Sequence, residues 1–493
     1  KIIIKYGMKK ISLLFVLIFA LPFFLVGCNF SSDGKLNSYT LDCHYDSASH
    51  TLSGKEEVVF YNDYDNAIDE LKFFLYPNSF NEGKEAVSDS YFNRAYPTGE
   101  ESFGDITIES VFCNGESLPY SINDEGSILT TSLVSEIYPD ESVTVEIAFT
   151  VNLANINHRL GYGENTVNFG NFYPILCVYE NGFVLNNFAS NGDPFYSEVA
   201  NYDVTLSFDD SFTLASTGDV VSESISNGVK TVEISALKVR DFAFTLSENF
   251  EVVSSSVGDI TVNYFYYDEE NFEENLLVAC EAMEYFSDLF GEYPYKTINV
   301  AKTNFCFGGM EYPNLVFISD EVADAFTYKY VIVHELAHQW WYSLVGNNEY
   351  TEAWLDESLT EYSTALFFEE YEKYGMRYAD IIDGALNSYQ LFVSTYESIL
   401  GDIDESMNRN LGEFSTEPEY VNCVYTKGVL MFDSIRDTLG DNKFFKCLKN
   451  YFEDYAYKIS TQDDIIQSFS KSAHMDLTNF FLAWLNGEVV LGN

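Results

Sequence analysis

The spacing of apolar residues changes near residue 252 of this 493-residue chain, and that change limits the fold more than any other feature. Before it, apolar and polar residues alternate in short runs such as 143–153 and 202–208. Such alternation predicts β-strands with one buried face. After it come two strand-like segments, 261–266 and 298–302, and then long patterns of helical period. The chain is therefore predicted to be multidomain, with an N-terminal all-β domain, either a saddle or a sandwich, followed by an α+β domain whose C-terminal half is mostly helical.

The first residues have the pattern of an export signal. Lys9 and Lys10 precede an apolar run, 11–26, which is shorter than the roughly 20 residues of a membrane-spanning helix. The tetrapeptide Leu25-Val26-Gly27-Cys28 is similar to a bacterial lipobox, which implies cleavage before Cys28 and a lipid on its thiol. An uncleaved anchor and an ordinary signal peptide are the alternatives. The predicted organisation is a lipoprotein signal peptide at 1–28, a linker at 29–38, the β domain at 39–252 and the second domain at 253–493.

The balance of charge limits the partners that the chain can bind. It contains 77 Asp and Glu residues against 26 Lys and Arg residues, which gives a formal net charge of −51. Such a surface repels nucleic acid and anionic lipid, so no nucleic-acid partner is expected and membrane attachment depends on the lipid anchor. This anchor predicts a position on the extracytoplasmic face of the cell membrane. The charge serves either solubility or attraction of cationic ligands such as peptide amino termini.

The motif HELAH at 334–338 indicates a metal site. It lies within YKYVIVHELAHQWWYSLVG, an apolar helical pattern that Gly346 is expected to end. Because residues four apart share a helical face, His334 and His338 can bind one metal ion through their ring nitrogens. Glu335 projects near the same face and can reach a water molecule on that ion. The alternative is a pair of histidines packed in a core helix without a metal.

A catalytic zinc ion usually takes three protein ligands and a water molecule, so a third ligand is needed. The candidate is Glu357, nineteen residues after His338, in the helical pattern EAWLDESLTEY. This helix is apolar on two sides and is expected to be buried, and a buried carboxylate needs a partner such as zinc. A surface position for Glu357 is the alternative. Glu361, one turn further on, is predicted either to accept a hydrogen bond from a histidine ligand's other ring nitrogen or to be a solvated acid.

These motifs resemble those of the gluzincin aminopeptidases, the family of aminopeptidase N and leukotriene hydrolase. HELAH followed by Glu357 matches the zinc-binding pattern of that family. The segment FGGMEYP, 307–313, is similar to its Gly-x-Met-Glu-Asn signature, and YTKG, 425–428, is similar to its Tyr-x-Lys-Gly motif. The resemblance implies a thermolysin-like zinc peptidase domain with one zinc ion, acting on peptide substrates that have a free amino terminus.

The resemblance also implies a role for each residue of the motifs. The zinc ligands would be His334, His338 and Glu357. The general base would be Glu335, and the donor to the developing oxyanion would be Tyr425. Glu311 would hold the ammonium group of the substrate, while the adjoining backbone would align the peptide as an added strand over Gly308, Gly309 and Met310. Together these roles predict hydrolysis of the N-terminal peptide bond of extracytoplasmic peptides.

Three departures from the family pattern are present. Tyr312 stands where the signature has Asn, and Asp356 and Ser358 stand in WLDES where WLNEG is usual. The sequence ends where the family's catalytic domain ends, so the large C-terminal helical domain is expected to be missing. A zinc endopeptidase of thermolysin-like chemistry would share the ligands without needing Glu311. An inactive peptidase scaffold acting as a binding lipoprotein is the third hypothesis, although the ligands, Glu335 and Tyr425 are all present.

Overall fold

The structure is a computed structural model that describes residues 36–401, 403–489 and 491. The predicted signal peptide, Cys28 and residues 29–35 of the predicted linker lie outside this part of the chain. The first strand begins at Asn37, two residues before the predicted start of the β domain. Among the described residues, no helix combines the length and the apolar character that are needed to cross a bilayer.

Three β-sheets form the N-terminal domain. In chain order its elements are β1 (Asn37–Asp46), β2 (Thr51–Tyr61), β3 (Ile68–Phe74), α1 (Phe92–Ala95), β4 (Asp105–Cys113), β5 (Glu116–Ser117), β6 (Tyr120–Ile122), β7 (Ile128–Ile137), β8 (Ser142–Asn152), β9 (Leu160–Tyr162), β10 (Val167–Phe169), β11 (Ile175–Leu176), β12 (Ala200–Asp209), β13 (Thr213–Ser216), β14 (Asp219–Ser226), β15 (Val229–Val239) and β16 (Phe244–Ser247). The strand orders are β14-β15-β12-β1-β2-β8-β4-β5, β13-β16-β10-β9 and β11-β3-β7-β6.

Alternating burial explains why these segments are strands. In β8 the residues Val143, Val145, Ile147, Phe149 and Val151 are all buried, while the residues between them are at least partly exposed. Successive side chains of a strand point to opposite faces, so this pattern buries one face and leaves the other towards water. Side chains from all three sheets share one hydrophobic core. The prediction of an N-terminal all-β domain is confirmed.

The second domain combines a five-stranded sheet with a helical C-terminal half. Its strands are β17 (Glu251–Val257), β18 (Ile260–Tyr266), β19 (Thr297–Thr303), β20 (Gly309–Met310), β21 (Leu315–Ser319), β22 (Val345–Gly346) and β23 (Lys458–Ile459). The main sheet has the order β17-β18-β19-β21-β20, with β18, β19 and β21 parallel. Because β17 pairs with β18, the predicted boundary after residue 252 falls inside a strand of this domain.

Helices cover this sheet and continue to the end of the described chain, as predicted. They are α2 (Phe272–Leu289), α3 (Ala325–Ala337), α4 (Glu349–Glu352), α5 (Trp354–Glu370), α6 (Tyr378–Leu400), α7 (Glu417–Val421), α8 (Lys427–Leu439), α9 (Asp441–Tyr455), α10 (Gln462–Ala473) and α11 (Thr478–Leu485). A π-helical turn, Asn422–Thr426, joins α7 to α8. Helix α3 packs against α2 and α5, and α5 also packs against α8.

The helix that contains HELAH ends earlier than predicted, so the prediction for Gly346 is wrong. Helix α3 ends at Ala337, and Gly346 lies in β22, where it pairs with Ile459. A Cβ atom at Gly346 would lie 2.0 Å from the guanidinium carbon of Arg240. The glycine is therefore needed for the close approach of a buried arginine and does not end a helix.

Arg240 joins the two domains, which leads to a prediction about stability. Its Nη1 donates to the carbonyl oxygen of Ser197 (2.7 Å), its Nε to that of Tyr342 (2.9 Å) and its Nη2 to that of Lys458 (3.0 Å). Hydrogen bonds from charged donors contribute about 1.5–3 kcal/mol each. We expect Arg240→Met to lower the free energy of unfolding in urea by at least about 2 kcal/mol. The exposed Arg377 supplies a control, since Arg377→Met should change it by less than about 1 kcal/mol; equal losses would contradict the prediction.

Candidate active site

The predicted site residues meet in a cleft of about 270 Å³ between the two domains. Helices α3 and α5 form one side of this cleft. The glycines before and at the start of β20 form another, and residues 190–193 of the N-terminal domain form a third. The cleft is therefore bounded by both domains, as is common for binding sites.

His334, His338 and Glu357 place three ligand atoms in a nearly equilateral triangle. The Nε2 atoms of His334 and His338 are 3.2 Å apart. Glu357 Oε2 lies 3.3 Å from His334 Nε2 and 3.2 Å from His338 Nε2. A tetrahedral zinc ion with ligands at 2.0–2.1 Å has its ligand atoms about 3.3 Å apart. The donor set and its spacing thus fit one zinc ion.

The packing of two helices brings these three residues together. His334 and His338 are one turn apart at the end of α3, and Glu357 lies in the first turn of α5. As predicted, α5 is apolar on two sides and buried: every residue from Trp354 to Phe368 is buried except Glu361. Although burial opposes ionisation, the two imidazoles hold the pKa of Glu357 well below its usual range. The carboxylate is therefore charged and available to a cation.

The other ring nitrogen of each histidine is also held. His334 Nδ1 lies 3.0 Å from Glu361 Oε2, and His338 Nδ1 lies 2.9 Å from the carbonyl oxygen of Trp341. Donation from Nδ1 to these oxygens leaves the Nε2 lone pairs free to face a metal. Of the two predicted alternatives for Glu361, the contact with a ring nitrogen is the one observed. Tyr330 orients this carboxylate by donating to its Oε1 at 2.6 Å.

Glu335 lies beside the triangle, and the pKa of its carboxyl group is close to neutral pH. Burial raises the pKa of Glu335 to about 7, against the opposing effect of the two imidazoles. A pKa near the working pH suits a group that accepts a proton and then returns it. The side chain fits because position 309 is glycine: a Cβ there would lie 2.4 Å from Glu335 Oε1. At Gly308 the nearest atom, on Val331, would be 3.7 Å away.

Glu311 forms an acidic corner of the cleft with Asp193, which no sequence motif marks. One oxygen each of Glu311, Asp193 and Glu357 lies within 4.8 Å of the other two. Burial raises the pKa of Glu311 well above its usual value. Asp193 comes from the N-terminal domain and forms an ion pair with Arg159 at 2.7 Å. Its local sequence, Asn-Gly-Asp-Pro, predicts only a turn, so no local signal pointed to Asp193 or Arg159.

The segment around Met310 contributes mainly its backbone. Gly308 and Gly309 line the cleft, whereas the Met310 side chain is buried in the core. Strand β20 lies at the edge of its sheet, so its outer edge is open to an added strand. Tyr312 does not line the cleft, and its hydroxyl donates to Asn171 Oδ1 of the N-terminal domain at 3.4 Å.

Tyr425 projects from the π-helical turn into the cleft. Its hydroxyl donates a hydrogen bond to Glu357 Oε1. Burial and then the nearby Glu357 carboxylate raise the pKa of the phenol well above its usual value, so the hydroxyl keeps its proton. The glycine of the same motif has a packing role, because a Cβ at Gly428 would lie 2.2 Å from Ser358 Oγ. The structure therefore places Tyr425 with the three ligands, and the oxyanion role stays a prediction.

Known proteins are similar to this chain in sequence. The peptidase family M1 domain matches residues 274–484. Aminopeptidase N of Lactococcus lactis subsp. lactis is 25% identical over 429 residues, which covers 77% of this chain and 46% of that protein. Probable aminopeptidase 2 of Sulfurisphaera tokodaii is 25% identical over 232 residues, covering 43% of this chain and 28% of that protein. The chain spans about half the length, or less, of these relatives.

Solved structures resemble the whole described fold. The crystal structure of the M1 zinc metallopeptidase from Deinococcus radiodurans superposes with a TM-score of 0.66 and 15% identity, covering 92% of this chain and 94% of that one. A mutant of that enzyme bound to a Tyr-Ser-Ala substrate gives a TM-score of 0.63, also at 15% identity, over 92% of this chain and 95% of that one. At this identity the likeness shows the fold, which has a β-rich N-terminal domain and a helical C-terminal half.

Proposed function

Because the second domain of this chain belongs to peptidase family M1, we propose that the protein is a zinc-dependent aminopeptidase that removes the N-terminal residue of peptides. The observation that carries the proposal is the triangle of His334, His338 and Glu357, with Glu335 and Glu311 directly beside it. Such a reaction needs three ligands spaced for zinc, a carboxyl group with a pKa near neutral pH and acidic residues that bind the substrate's amino group. All three are present in this cleft.

The residues of the cleft divide the chemistry among them. When bound to the triangle, zinc supplies a Lewis acid and a water molecule of lowered pKa. Glu335 accepts the proton of the attacking water and passes it to the leaving amine, for which its pKa of about 7 is suited. The Tyr425 hydroxyl would donate to the negative charge that develops on the carbonyl oxygen.

The acidic corner explains why cleavage would be confined to the amino end. Glu311 and Asp193 would hold the substrate's ammonium group by charge-assisted hydrogen bonds, while β20 aligns the peptide backbone. An acetylated amine carries no charge, so it would leave buried carboxylates unpaired, which costs free energy. We therefore propose peptides with a free amino terminus as substrates.

A comparison of free and blocked substrates tests this function. Protein loaded with one zinc ion is expected to hydrolyse aminoacyl anilides, to lose activity with a chelator and to leave N-acetylated analogues intact. Internal cleavage of an amino-blocked peptide would instead support the thermolysin-like endopeptidase. Full zinc loading without any turnover would support a binding scaffold.

We also propose that the protein is a lipoprotein acting on peptides outside the cytoplasm. The proposal rests on the signal pattern and on Cys28 in Leu-Val-Gly-Cys. Expression in a bacterial host with a radiolabelled fatty acid should label the wild-type protein and leave Cys28→Ala unlabelled. Equal labelling of the two proteins would reject lipidation at Cys28.

Glu361 should matter for zinc affinity because it holds one ligand in orientation. Replacing a residue that orients a metal-binding histidine typically weakens metal binding 10–100-fold. We expect Glu361→Gln to raise the zinc dissociation constant by about that factor, measured by competition with a chromophoric chelator. Glu417→Gln is the control, since Glu417 lines the same cleft but receives a hydrogen bond from Tyr91. Equal effects of the two changes would contradict the orienting role.

Zinc binding should release protons from the metal-free site. Burial alone would lower the pKa of His338, but the Glu311 and Glu357 carboxylates outweigh it and raise that pKa to about 10. Glu357 and Glu361 likewise raise the pKa of His334. The carboxylates therefore favour the protonated rings in the metal-free site, and a protonated ring must lose its proton to bind metal. Calorimetry in buffers of different ionisation enthalpy should find a net release of protons, and zinc affinity should rise with pH. Proton release near zero would contradict this prediction.

A further inference from the structure

A second group of buried acids lies behind Glu311. One oxygen each of Glu311, Glu349 and Asp356 lies within 4.8 Å of the other two. These residues are only 3%, 1% and 2% exposed. Glu311 lines the cleft but Glu349 and Asp356 do not, so the group lies on the side of Glu311 that faces away from the substrate. We refer to these three residues as the rear acid cluster.

The rear acid cluster lacks compensating partners in the described part of the chain. No N–H donor reaches either carboxyl oxygen of Glu349, nor Oε1 of Glu311. Glu349 instead faces the carboxyl group of Asp356, with which it shares a hydrogen bond. Asp356 also accepts a hydrogen bond from Asn347 Nδ2 at 2.9 Å. The nearby Arg240 directs its guanidinium to three backbone carbonyl oxygens and not to these acids. Buried acids that face each other without a positively charged partner are costly, so this cluster calls for a ligand.

The positive groups of the proposed function, on which this step rests, leave the rear acid cluster without a cation. Arg159 pairs with Asp193 at 2.7 Å, and zinc would be held by His334, His338 and Glu357. The substrate's ammonium group would lie in the cleft, which Glu349 and Asp356 do not line. None of these positive groups is therefore assigned to Glu349 and Asp356.

We propose that the rear acid cluster binds one Ca²⁺ ion. Ca²⁺ prefers oxygen ligands at 2.3–2.6 Å, so two oxygens on the same ion are at most about 5 Å apart, which fits the observed spacing. The cluster offers only carboxylate oxygens and no imidazole or thiol, which favours a hard cation over zinc. Mg²⁺ fits less well because it keeps several water molecules and demands a tight octahedron.

The Ca²⁺ ion would act by holding Glu311. It would tie the residue after β20 to Glu349 in α4 and Asp356 in α5, which are three separate parts of the chain. Glu311 would then keep its position whether or not substrate is bound. Asp356 is one of the departures from the family pattern, and the rear acid cluster gives it a function.

Calorimetric titration of zinc-loaded protein with CaCl₂ tests this site. We expect one Ca²⁺ per chain and a higher melting temperature in Ca²⁺ than in equal MgCl₂. Glu349→Gln should weaken Ca²⁺ binding by at least about tenfold, because affinity depends on the number of charged ligands. Glu56→Gln is the matched control: Glu56 is also 1% exposed and also receives no hydrogen bond from an N–H donor in the described chain, but it lies in β2 and belongs to no group of acids. It should bind Ca²⁺ like the wild type.

Two results would overturn the inference. Wild-type protein without Ca²⁺ binding and without a Ca²⁺-dependent melting temperature would show that the rear acid cluster does not bind Ca²⁺. Equal affinities of wild type and Glu349→Gln would place the bound ion elsewhere. Zinc content, measured separately by elemental analysis, keeps the two proposals distinct: protein that binds no zinc contradicts the proposed function, whereas one zinc without Ca²⁺ contradicts only the rear site.

Discussion

Replacing Glu335 with Gln is expected to lower kcat for an aminoacyl anilide by about 10²–10⁴-fold while one zinc ion stays bound. Glutamine has nearly the same shape, so the triangle of ligands should be unchanged. It cannot accept a proton, so the attacking water keeps its proton and the leaving amine receives none. The measurements are steady-state kinetics and zinc content on the same protein sample.

The control for this change is again a buried acid outside the cleft. Glu56→Gln replaces a carboxyl group buried in the N-terminal domain and should leave kcat within a factor of about two. If Glu335→Gln keeps more than about a tenth of the wild-type kcat at full zinc loading, proton transfer belongs to another group.

Replacing Gly309 with Ala is expected to lower kcat by at least about 100-fold, although it adds only one methyl group. The new Cβ would lie 2.4 Å from Glu335 Oε1, so either the carboxylate or strand β20 must move. A displacement of about 1 Å in a catalytic group is enough for such a loss. The measurement is kcat at saturating substrate, with zinc content as a check that the ligands are intact.

The adjacent glycine gives a closely matched control. A Cβ at Gly308 would be 3.7 Å from its nearest neighbour, which is ordinary contact, and the backbone there has no positive φ. Gly308→Ala should therefore keep most of the activity. Similar losses at both positions would mean that the backbone, and not the space beside Glu335, makes these residues important.

The metal-binding residues could be predicted from sequence because their geometry is local. His334 and His338 are one helical turn apart, and the apolar pattern around them predicts the helix. Glu357 required one further step, the packing of the next helix against the first, which its two apolar sides made plausible. Glu311 and Tyr425 could be assigned only through the resemblance to a family, since nothing in their own spacing distinguishes them from other acids and tyrosines.

Other features depend on contacts between distant parts of the chain, and local sequence patterns do not reveal such contacts. Asp193 reaches the cleft because the N-terminal domain packs against the second domain, more than a hundred residues away from Glu311 along the chain. Gly346 looked like a helix end, but a glycine is needed there because the guanidinium of Arg240 approaches it from the other domain. The group of Glu349 with Asp356 likewise forms only when α4 and α5 fold back behind β20.

The π-helical turn at Asn422–Thr426 has a consequence for how this segment tolerates change. Such a turn contains one residue more than the α-helix on either side would need. Deleting one of residues 422–424 would let α7 and α8 merge into one regular helix, and it would also rotate Tyr425 by about 100° relative to α7. This segment therefore cannot be a regular helix and also direct the Tyr425 hydroxyl into the cleft. A homologue with an uninterrupted helix here would have to obtain that hydroxyl from a different part of the chain.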